Sequence, residues 1–484
     1  MSGRAGSTHV SHQTARPQAL PAYRQDNHKP HSAILNFATE FNVSPLSGAN
    51  LIMIVAYFEN KQSITTHIPA VNRPSMSGII LLLLCAAIQP ASAQTLKVLY
   101  NFTNGTDGGL PNYILVRDQA GNLYGTTEEG GDINSSNCNP PQGCGTVFKV
   151  TPRGKETVIY DFKDNPDAAY PGAGLSRDAA GNFYGTTFLG GTSNMGTVYR
   201  LDKTGKETVL YSFTGGHDGG NPFSTVIFDP DGNLYGTTEI GGDTEGCDIG
   251  DMNGCGVVFK ISPSGKFTVL HRFNGYDGAD PAGGLVRDEG GNLYGTTTAG
   301  GITSCHNGGC GTVFKLSPSG KETVLLKFNL PGTGGIFPNG PLIRDASGNL
   351  YGTTTWGGDM SCADQAGCGT VFRLDKGGKE TVLYKFKDDA NGALPNGPLL
   401  WDADGNLYGT SSLGGILSCN GGDGCGTIFK LTASGNITTL YKFKGEADGA
   451  HPNGGLVRDS AGHLYGTTQG DFQGTWGSVF ELTP

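Results

Sequence analysis

The hydrophobic and polar residues of this chain alternate in short segments, and the same order of segments returns many times. Around residue 348 it reads PLIRD (Pro341–Asp345), LYGTT (Leu350–Thr354), GTVFRL (Gly369–Leu374) and ETVLYKF (Glu380–Phe386). β-Branched and aromatic residues dominate all four segments, and Gly, Asn and Asp occupy the turns between them. No stretch has the period of an amphipathic helix of useful length. The pattern predicts four-stranded antiparallel meanders, with strands named A to D in chain order.

One heptapeptide marks every unit. GNLYGTT or a close variant begins at Gly121, Gly181, Gly232, Gly291, Gly348, Gly405 and Gly462. The copies start 60, 51, 59, 57, 57 and 57 residues apart, a period that is typical of propeller blades with several short strands. Sheets that are apolar on both faces, as these are, become covered when neighbouring sheets stack on each side of them.

The two ends of the repeat region indicate how the array closes. TLKVLYNF (Thr95–Phe102) resembles strand D but precedes the first strand A, and GSVFELTP (Gly477–Pro484) is a strand C with no strand D after it. The first segment can complete the last sheet, which joins the termini and leaves no long free edge. We predict an all-β fold, a seven-bladed β-propeller over residues 94–484 with four antiparallel strands per blade, closed by residues 95–102.

The first 93 residues lack the repeat. Gly78–Ile88 is a short apolar run followed by Ala91-Ser92-Ala93, which is typical of a secretory signal peptide and too short for a membrane span. We assign residues 76–93 to the signal peptide. Residues 1–75 are either an extension from a mis-assigned start or a disordered segment. The chain stops directly after a strand C without a sorting tail, and we expect a secreted or periplasmic protein.

Charge and hydropathy narrow the classes of partner. Residues 94–484 contain 27 Lys and Arg against 40 Asp and Glu, and the basic residues form no cluster. Such an acidic chain is a poor candidate for nucleic-acid binding. No later stretch reaches 18 apolar residues, so we expect no membrane span in the mature chain. We expect a monomer whose partner is an extracellular carbohydrate or protein.

The heptapeptide has a structural interpretation, with ligand binding as the alternative. Asn and Gly suit the A–B turn, Leu and Tyr fill the space between blades, and Gly and Thr are small enough for crowded inner strands. Strand A also repeats Arg-Asp, at Arg117, Arg177, Arg287, Arg344 and Arg458. These arginines either pair with aspartates of neighbouring blades or form an anion-binding ring at one mouth of the channel.

The B–C loops differ most between units, with lengths of 17, 8, 17, 13, 14, 14 and 8 residues. Variable loops on a rigid frame often carry binding sites, so we place the ligand on the face formed by the B–C loops and the D–A crossings. Five loops contain two cysteines each: Cys138 and Cys144, Cys247 and Cys255, Cys305 and Cys310, Cys362 and Cys368, Cys419 and Cys425. They predict five local disulfides; the alternative, a zinc site, lacks recurring His or Asp partners.

Several residues of this face suit a sugar. Asp-Gly dipeptides followed by Pro recur in the D–A crossings, where they also have an ordinary role in turns. Exposed tryptophans beside carboxylates suit carbohydrate stacking and hydrogen bonding. The predicted ligand-binding set is Trp356, Trp476, Asp107, Asp218, Asp277, Asp448, Asp243 and Asp251. We predict no resident metal or cofactor; the alternative is a Ca²⁺ site built from a ring of carboxylates.

Recognisable catalytic motifs are missing from the sequence. There is no G-x-S-x-G, H-E-x-x-H or phosphate-binding loop. We therefore predict a non-catalytic binding module. Paired carboxylates from distant blades could still cleave polysaccharide, so a hydrolase or lyase is the second hypothesis. It requires a deep central cleft with two or three convergent carboxylates of raised pKa. A purely structural surface protein is the third hypothesis.

The segments GNLYGTT, GTVFKL and GKETVLYSF together resemble the GloVer tandem-repeat family, whose exported members are described as choice-of-anchor proteins. The resemblance spans about residues 94–484 and all seven units. It implies an extracytoplasmic, propeller-like repeat region and no biochemical activity. A weaker similarity, D-x-x-G-N-L-Y, links the units to NHL and regulator-type propeller repeats, which are often binding or sensing modules.

Overall fold

Seven four-stranded antiparallel sheets, one per repeat unit, make up most of the part of the chain that the computed structural model describes. That part consists of residues 94–133, 138, 142–163, 165–242, 247, 253–302, 305, 308–329, 334–362, 366–470 and 474–483. The predicted extension and signal peptide lie outside it. Every sheet has the spatial order A-B-C-D, so the predicted seven-bladed β-propeller is confirmed.

The strands keep nearly the same length from blade to blade. The A strands of blades 1 to 7 are Val116–Arg117, Ser176–Arg177, Ile227–Phe228, Leu285–Arg287, Ile343–Arg344, Leu400–Trp401 and Val457–Arg458. The B strands are Leu123–Thr127, Phe183–Thr187, Leu234–Thr238, Leu293–Thr297, Leu350–Thr354, Leu407–Ser411 and Leu464–Thr468. The C strands are Thr146–Val150, Thr197–Leu201, Val257–Ile261, Thr312–Leu316, Thr370–Leu374, Thr427–Leu431 and Ser478–Thr483.

The D strands follow the same order. They are Glu156–Asp161, Glu207–Ser212, Phe267–Arg272, Glu322–Lys327, Glu380–Lys385, Ile437–Lys442 and, in blade 7, Thr95–Asn101. Two small sheets pair Ala168–Ala169 with Leu189–Gly190 and Gly335–Ile336 with Trp356–Gly357. One 3₁₀ turn covers Asn420–Gly422. Within the described ranges, no helix is long and apolar enough to cross a membrane.

The ring closes as the sequence predicts. Strand Thr95–Asn101 runs antiparallel to Ser478–Thr483, with Thr95 opposite Thr483 and Asn101 opposite Ser478. Blade 7 therefore takes its strand D from the start of the repeat region and its other three strands from the end. Because this joint uses the same hydrogen-bond ladder as every other C–D pair, it leaves no exceptional seam in the disc.

The apolar core lies between the blades. A buried aromatic residue of each strand C packs on the Phe that follows strand D of the preceding blade. Phe273 and Phe314 form one such pair, with 5.1 Å between ring centroids and an edge-to-face angle of 69°. The other pairs are Phe102–Phe148, Phe162–Tyr199, Phe213–Phe259, Phe328–Phe372, Phe386–Phe429 and Phe443–Phe480. All seven interfaces therefore share one packing solution.

The heptapeptide supplies the surroundings of this aromatic core. A Cβ atom on Gly352 would lie 2.8 Å from Cζ of Phe372, closer than side chains approach, so only Gly leaves room for the ring. The first Thr of the motif reaches the next blade, as when Thr126 Oγ1 donates to the carbonyl of Ala173 at 2.9 Å. The second pairs with strand C, as Thr127 does with Thr146 at 2.9 Å. These contacts give the motif a structural role.

Every strand D contains a β-bulge that the hydrophobic pattern did not predict. In blade 2, Tyr211 pairs with Val198 and Val209 pairs with Tyr199, which leaves Leu210 as the extra residue. The corresponding residues of the other blades are Leu99, Ile159, Leu270, Leu325, Leu383 and Leu440. A bulge increases the local twist of a strand, and its recurrence at the outer edge of every sheet is a regular feature of this fold.

The A–B and C–D turns lie on one face of the disc, here called the turn face. In blade 5, Asp345 Oδ1 accepts the backbone N–H of Asn349 at 2.8 Å, and Oδ2 accepts the hydroxyl of Tyr351 at 3.1 Å. Burial raises the pKa of Asp345, but these hydrogen bonds outweigh it and the pKa lies below its usual value. The same Tyr–Asp bond occurs in all seven blades.

The strand A arginines lie between blades. Arg117 of blade 1 has its Nη2 3.8 Å from Oδ2 of Asp459 in blade 7, and its guanidinium covers the ring of Tyr465 at 5.5 Å. Arg458 covers Tyr408 of blade 6 in the same way, at 5.9 Å. At these interfaces the arginine supports a Tyr–Asp pair across blades, as the first of the two interpretations expects.

At two interfaces, residues other than a strand A arginine support the Tyr–Asp pair. In blade 6, Trp401 replaces the strand A arginine and packs edge-to-face on Tyr351 at 4.8 Å. Strand C of blade 5 then carries Arg373, where four of the other blades have Lys. Burial and Asp345 raise the pKa of Tyr351, and the guanidinium of Arg373 opposes the rise. The interface of blades 2 and 3 has the equivalent set Phe228, Tyr184 and Arg200.

Candidate functional site

The opposite face, here called the loop face, carries the B–C loops and the D–A crossings. Its five disulfides are Cys138–Cys144, Cys247–Cys255, Cys305–Cys310, Cys362–Cys368 and Cys419–Cys425. The predicted local pairing is confirmed, with Cα separations from 4.9 to 5.9 Å that are ordinary for disulfides. Because disulfides persist in oxidising compartments, they indicate a protein that matures outside the cytoplasm.

The second cysteine of each loop also contacts the next blade. The backbone N–H of Asp280 donates to the carbonyl of Cys255 at 3.1 Å. Equivalent bonds join Tyr170 to Cys144, Phe337 to Cys310, Leu394 to Cys368 and His451 to Cys425. In the two blades with short loops, the carbonyls of Met195 and Trp476 accept the N–H groups of Asn221 and Leu110. Each loop therefore positions one residue of the neighbouring crossing.

The predicted ligand residues Asp107, Asp218, Asp277 and Asp448 hold turns within their own crossings. Asp218 Oδ2 accepts the hydroxyl of Tyr211 and the N–H of Thr214, both at 3.0 Å. Tyr100 and Tyr441 donate in the same way to Asp107 and Asp448, and His271 Nε2 lies 3.1 Å from Asp277. Nothing in the described part of the chain brings these four carboxylates into contact with one another. Ligand binding by them stays a prediction.

The predicted tryptophans are half-buried and belong to different blades. Trp356 pairs with Ile336 in one of the small sheets and packs on the apolar cluster around Phe372. Trp476 stands where five other blades have their second cysteine, and it packs on the cluster around Phe102. Both side chains therefore have packing roles. The predicted residues Asp243 and Asp251 lie outside the described residues.

Side chains of different blades meet at the centre of the loop face. The residue after each strand B donates its N–H to a carbonyl of the D–A crossing. In every blade the acceptor precedes a proline at the same position of the crossing, here called the crossing proline: Pro111, Pro171, Pro222, Pro281, Pro338, Pro395 and Pro452. The ring of Tyr113 in blade 1 lies 5.7 Å from that of Phe223 in blade 3. Since these blades are not neighbours, only side chains near the propeller axis can make this contact.

We call this region the central funnel. It is defined by Tyr113 and by three positions per blade: the residues before and after the crossing proline and the residue after strand B. The residues before proline are Leu110, Tyr170, Asn221, Asp280, Phe337, Leu394 and His451. Those after proline are Asn112, Gly172, Phe223, Ala282, Asn339, Asn396 and Asn453, and those after strand B are Glu128, Phe188, Glu239, Thr298, Thr355, Ser412 and Gln469.

The backbone of the funnel is strained in every blade. All seven residues before proline have φ between 52° and 57°, although non-glycine residues rarely adopt the left-handed region and proline disfavours helical conformations in its predecessor. Two hydrogen bonds fix each of these residues. Its N–H donates to a carbonyl of the preceding B–C loop, and its own carbonyl accepts the N–H of the residue after strand B. Strain of this kind is concentrated at functional sites in proteins.

One side of the funnel is aromatic. The rings of Phe188 and Phe223 lie 6.0 Å apart, and Tyr113 packs edge-on against Phe223. The Tyr113 hydroxyl donates to Glu128 Oε1 at 2.9 Å, and the side chain of Asn112 donates to the same oxygen at 3.2 Å. The aromatic side therefore continues into a carboxylate that Tyr113 and Asn112 hold in place.

Two more carboxylates, Glu239 of blade 3 and Asp280 of the next crossing, adjoin this region. Burial raises the pKa of Asp280 to about 6. Burial and the charge of Asp280 raise the pKa of Glu239 well above its usual value. Burial also raises the pKa of Glu128, although the hydrogen bonds from Tyr113 and Asn112 oppose the rise. Three acidic groups thus share one poorly solvated region.

The remaining blades contribute amides and hydroxyls. Thr355 donates to the side-chain oxygen of Asn396 at 2.6 Å, and Asn453 donates to Gln469 at 3.1 Å. His451 Nδ1 lies 2.9 Å from the carbonyl of Ser412. The funnel therefore has an aromatic side, an acidic side and an amide side, although the scaffold beneath it repeats seven times.

Three acceptor atoms of the funnel lack a donor. They are Oδ1 of Asn112, Oδ1 of Asp280 and Oδ1 of Asn453, all shielded from water and without a hydrogen-bond partner in the described structure. A buried acceptor without a donor is unfavourable by about 1–3 kcal/mol. No three His, Cys, Asp or Glu side chains of the described residues are arranged to hold one metal ion.

A concave region lies on the turn face between blades 5 and 6. This cavity of about 550 Å³ is lined by Arg344, Tyr351, Arg373, Trp401 and Asp402, among others. Its carboxylates already have partners, since Asp402 lies 3.6 Å from Lys430 and Asp345 holds Tyr351. The cavity arises where Trp401 replaces the interblade arginine.

The family of the chain follows from its repeats. The model of the Gloeobacter/Verrucomicrobia repeat matches residues 87–246, 134–361 and 303–484, which together take in all seven blades. The chain belongs to this repeat family. No curated protein matches this Gloeobacter/Verrucomicrobia repeat protein.

Solved structures resemble the repeat protein only distantly. The extracellular domain of a hybrid two component system from B. thetaiotaomicron is 13% identical with a TM-score of 0.47; the match covers 81% of this chain and 41% of that one. A gluconolactonase from Xanthomonas campestris is 12% identical with a TM-score of 0.39, over 81% and 90% of the two chains. A luciferin-regenerating enzyme is 14% identical with a TM-score of 0.40, over 81% and 95%. At this distance the similarities carry no argument about activity.

The sequence contains a signal for the funnel at the end of each heptapeptide. The heptapeptide ends with Thr or Ser, and the residue that follows it changes from blade to blade: Glu128, Phe188, Glu239, Thr298, Thr355, Ser412 and Gln469. The residue before the crossing proline varies in the same way. Variation at a fixed position in an otherwise constant repeat marks the side chains that the scaffold does not require.

Proposed function

We propose that this repeat protein is a secreted or periplasmic, non-catalytic module that binds a carbohydrate in the central funnel of its loop face. One observation carries the proposal: seven blades with the same scaffold present seven different sets of side chains at one mouth of the axis. Aromatic rings, carboxylates and amides that converge in one region are the groups that stack on sugar rings and bond their hydroxyls. The five disulfides support it, because they hold the loops that position the funnel.

A glycan array probed with the full-length protein tests this proposal. We expect binding to a restricted set of glycans and a loss of binding in Phe223→Ala, which removes one aromatic ring from the funnel. Thr438→Ala, on the exposed part of a strand D, is the matched control and keeps binding. An array on which neither wild type nor control binds any glycan contradicts the proposal. Repeating the array with reductant tests the contribution of the loops.

The second candidate is an enzyme that hydrolyses or eliminates extracellular polysaccharide. It is favoured by the raised pKa values of Glu239 and Asp280, since a carboxyl that stays protonated near neutral pH can act as a general acid. Release of new reducing ends from a polysaccharide panel, abolished in Glu239→Gln while glycan binding persists, supports the enzyme. Binding without turnover in the wild type supports the module.

Export is proposed on the sequence alone. A signal peptide at residues 76–93 predicts that the mature protein begins at Gln94 and that residues 1–75 are absent from it. N-terminal sequencing of the protein recovered outside the cytoplasm tests both assignments. Retention of residues before Met76 contradicts them.

A further inference from the structure

The funnel is acidic, and its charge determines which class of sugar it can bind. Its defining positions include three carboxylates, Glu128, Glu239 and Asp280, and none of those positions is Lys or Arg. Like charges in a region of low dielectric repel strongly, while an opposite charge is attracted. A uronic acid or sulfated sugar would therefore be repelled. A positively charged sugar would be attracted.

The unpartnered atoms of the funnel have one chemical character. Oδ1 of Asn112, Asp280 and Asn453 are all acceptors, so the missing group is a donor. A protonated amine offers three N–H donors and no acceptor. A sugar hydroxyl offers one donor together with acceptor lone pairs, which would face the carboxylates less favourably. The oxygens of Asn112 and Asn453 belong to neutral amides, so they are an observation independent of the acidic charge, and they favour the same kind of ligand.

The aromatic side adds a further preference. Tyr113, Phe188 and Phe223 form a continuous edge-to-face group beside the carboxylates. Aromatic faces attract cations through their quadrupole and also stack on the apolar faces of pyranose rings. No group of metal-ligating side chains among the described residues is close enough to share a single ion, so a charged organic group suits this spread of acceptors better than a bare metal ion does.

We propose that the central funnel binds a protonated amino sugar, so that its ligand is a glucosamine-containing glycan with free amino groups. The inference rests on the proposed function, because it names the class of carbohydrate for the same site. The ammonium group pairs with Glu239 and Asp280 and favours their ionised forms, which burial disfavours in the free protein. The rings of Tyr113 and Phe223 cover the sugar. Acetylation of the amine removes both the charge and two donors, so N-acetylated glycans bind poorly.

Isothermal titration of the full-length protein with three tetramers tests the inference at pH 6.5 in buffer with a chelator. The tetramers are glucosamine, N-acetylglucosamine and glucose oligomers with the same β-1,4 linkage, which differ only at the second carbon. We expect the glucosamine tetramer to bind at least about tenfold more tightly than the other two, since a charge-assisted hydrogen bond is about twice as strong as a neutral one.

Variants assign the effect to the funnel. Glu239→Gln and Asp280→Asn keep the shape of each side chain and remove its charge, and each should lower affinity for the glucosamine tetramer about tenfold. Glu289→Gln removes one carboxylate from an exposed A–B turn on the turn face and should leave affinity unchanged. Near-ultraviolet circular dichroism confirms that each variant is folded.

The outcomes separate this inference from the proposed function. Equal binding of all three tetramers overturns the amino-sugar inference and leaves glycan binding in place. Loss of affinity in Glu289→Gln equal to that in Glu239→Gln also overturns it, because the effect would then be one of net charge. Oligolysine binding as tightly as the glucosamine tetramer overturns the assignment to a sugar in favour of a lysine-bearing protein. An empty glycan array, by contrast, is the failure of the proposed function itself.

Discussion

The two faces of the disc are built from the same repeats and have opposite characters. On the turn face, all seven blades present the same Asp, bonded to the same Tyr. On the loop face, the residue after strand B is of five types among the seven blades: Glu, Phe, Thr, Ser or Gln. The turn face also keeps a guanidinium beside the Tyr–Asp pair when residues change. At the interface where Trp401 replaces the strand A arginine, Arg373 supplies that guanidinium. One face thus maintains the ring, and the other is free to acquire specificity.

The largest effect is expected from a substitution in the interblade core, which supports both faces. Gly352→Val places methyl groups where Phe372 and Leu342 already lie, less than 3 Å from the position of a Cβ atom. We expect a loss of about 3 kcal/mol in the free energy of unfolding, because overpacking displaces buried rings and backbone. Urea denaturation measures it. Asn339→Ala, at an exposed funnel position, should change stability by less than about 0.5 kcal/mol; equal losses would contradict the distinction between scaffold and funnel.

The next prediction contrasts one carboxylate from each face. Asp345→Ala removes the acceptor for Asn349 and Tyr351 on the turn face, and we expect a loss of about 2 kcal/mol. Glu239→Gln on the loop face should leave stability unchanged or raise it near neutral pH, because burial disfavours the charged form of Glu239 and Gln is neutral. The two variants are compared by thermal unfolding at pH 7. A large loss of stability in Glu239→Gln would show that the funnel is part of the scaffold.

The pH dependence of stability separates two sets of carboxylates. Burial, with the charges of Asp107, Asp167 and Asp277, raises the pKa values of Glu156, Glu207 and Glu322 to about 7. The folded state therefore binds more protons than the unfolded state between pH 4.5 and 7, and stability falls as pH rises through this window. We expect roughly 1 kcal/mol per glutamate after allowance for solvent screening.

Urea denaturation at pH 5 and pH 8 checks this dependence. Glu207→Gln should reduce the difference between the two values by roughly 1 kcal/mol, since it removes one group whose pKa is raised in the folded state. The turn-face aspartates have lowered pKa values, so their contribution is lost only below this window, as pH falls through those lowered values. Greater stability at pH 8 than at pH 5 would contradict the assignment.

The smallest effect on stability is expected from moving the guanidinium at the interface of blades 5 and 6 from one strand to another. Arg373→Lys removes the planar group beside Tyr351, and we expect a loss below about 1 kcal/mol. The double variant Arg373→Lys with Trp401→Arg recreates the arrangement of the other interfaces and should recover most of that loss. A double-mutant cycle by chemical denaturation measures the coupling. Strict additivity would mean that the two positions do not replace one another.

The repeats explain how much of the fold could be predicted from the sequence alone. Seven copies of GNLYGTT gave the blade, and the unmatched segments Thr95–Phe102 and Gly477–Pro484 gave the closure. The bulge at Leu210 was not predictable in the same way, because Leu suits both a regular strand and a bulge. The left-handed residues were missed because Leu110 and Phe337 precede proline, where side-chain preference argues against that conformation.

The sequence and the structure lead to the same face for the proposed ligand site, but through different residues. Trp356 and Trp476 drew attention because tryptophan is rare in the chain, yet both pack on apolar clusters. Glu239 and Asp280 are 41 positions apart in the sequence and meet because the start of a B–C loop and the following D–A crossing converge near the axis. Convergence of this kind depends on the geometry of the whole ring, which no local pattern contains.

The hydrogen bond from the second cysteine of one blade to the pre-proline residue of the next has an evolutionary consequence. A funnel residue such as Asp280 is anchored by Cys255, which belongs to the blade before it. Exchange of a whole blade between relatives would therefore transplant a side chain without the loop that orients it. To keep the side chain and its anchor together, an exchanged segment would have to run from the B–C loop of one blade to the corresponding loop of the next. Such a segment begins and ends in the middle of a sheet, not at its edge.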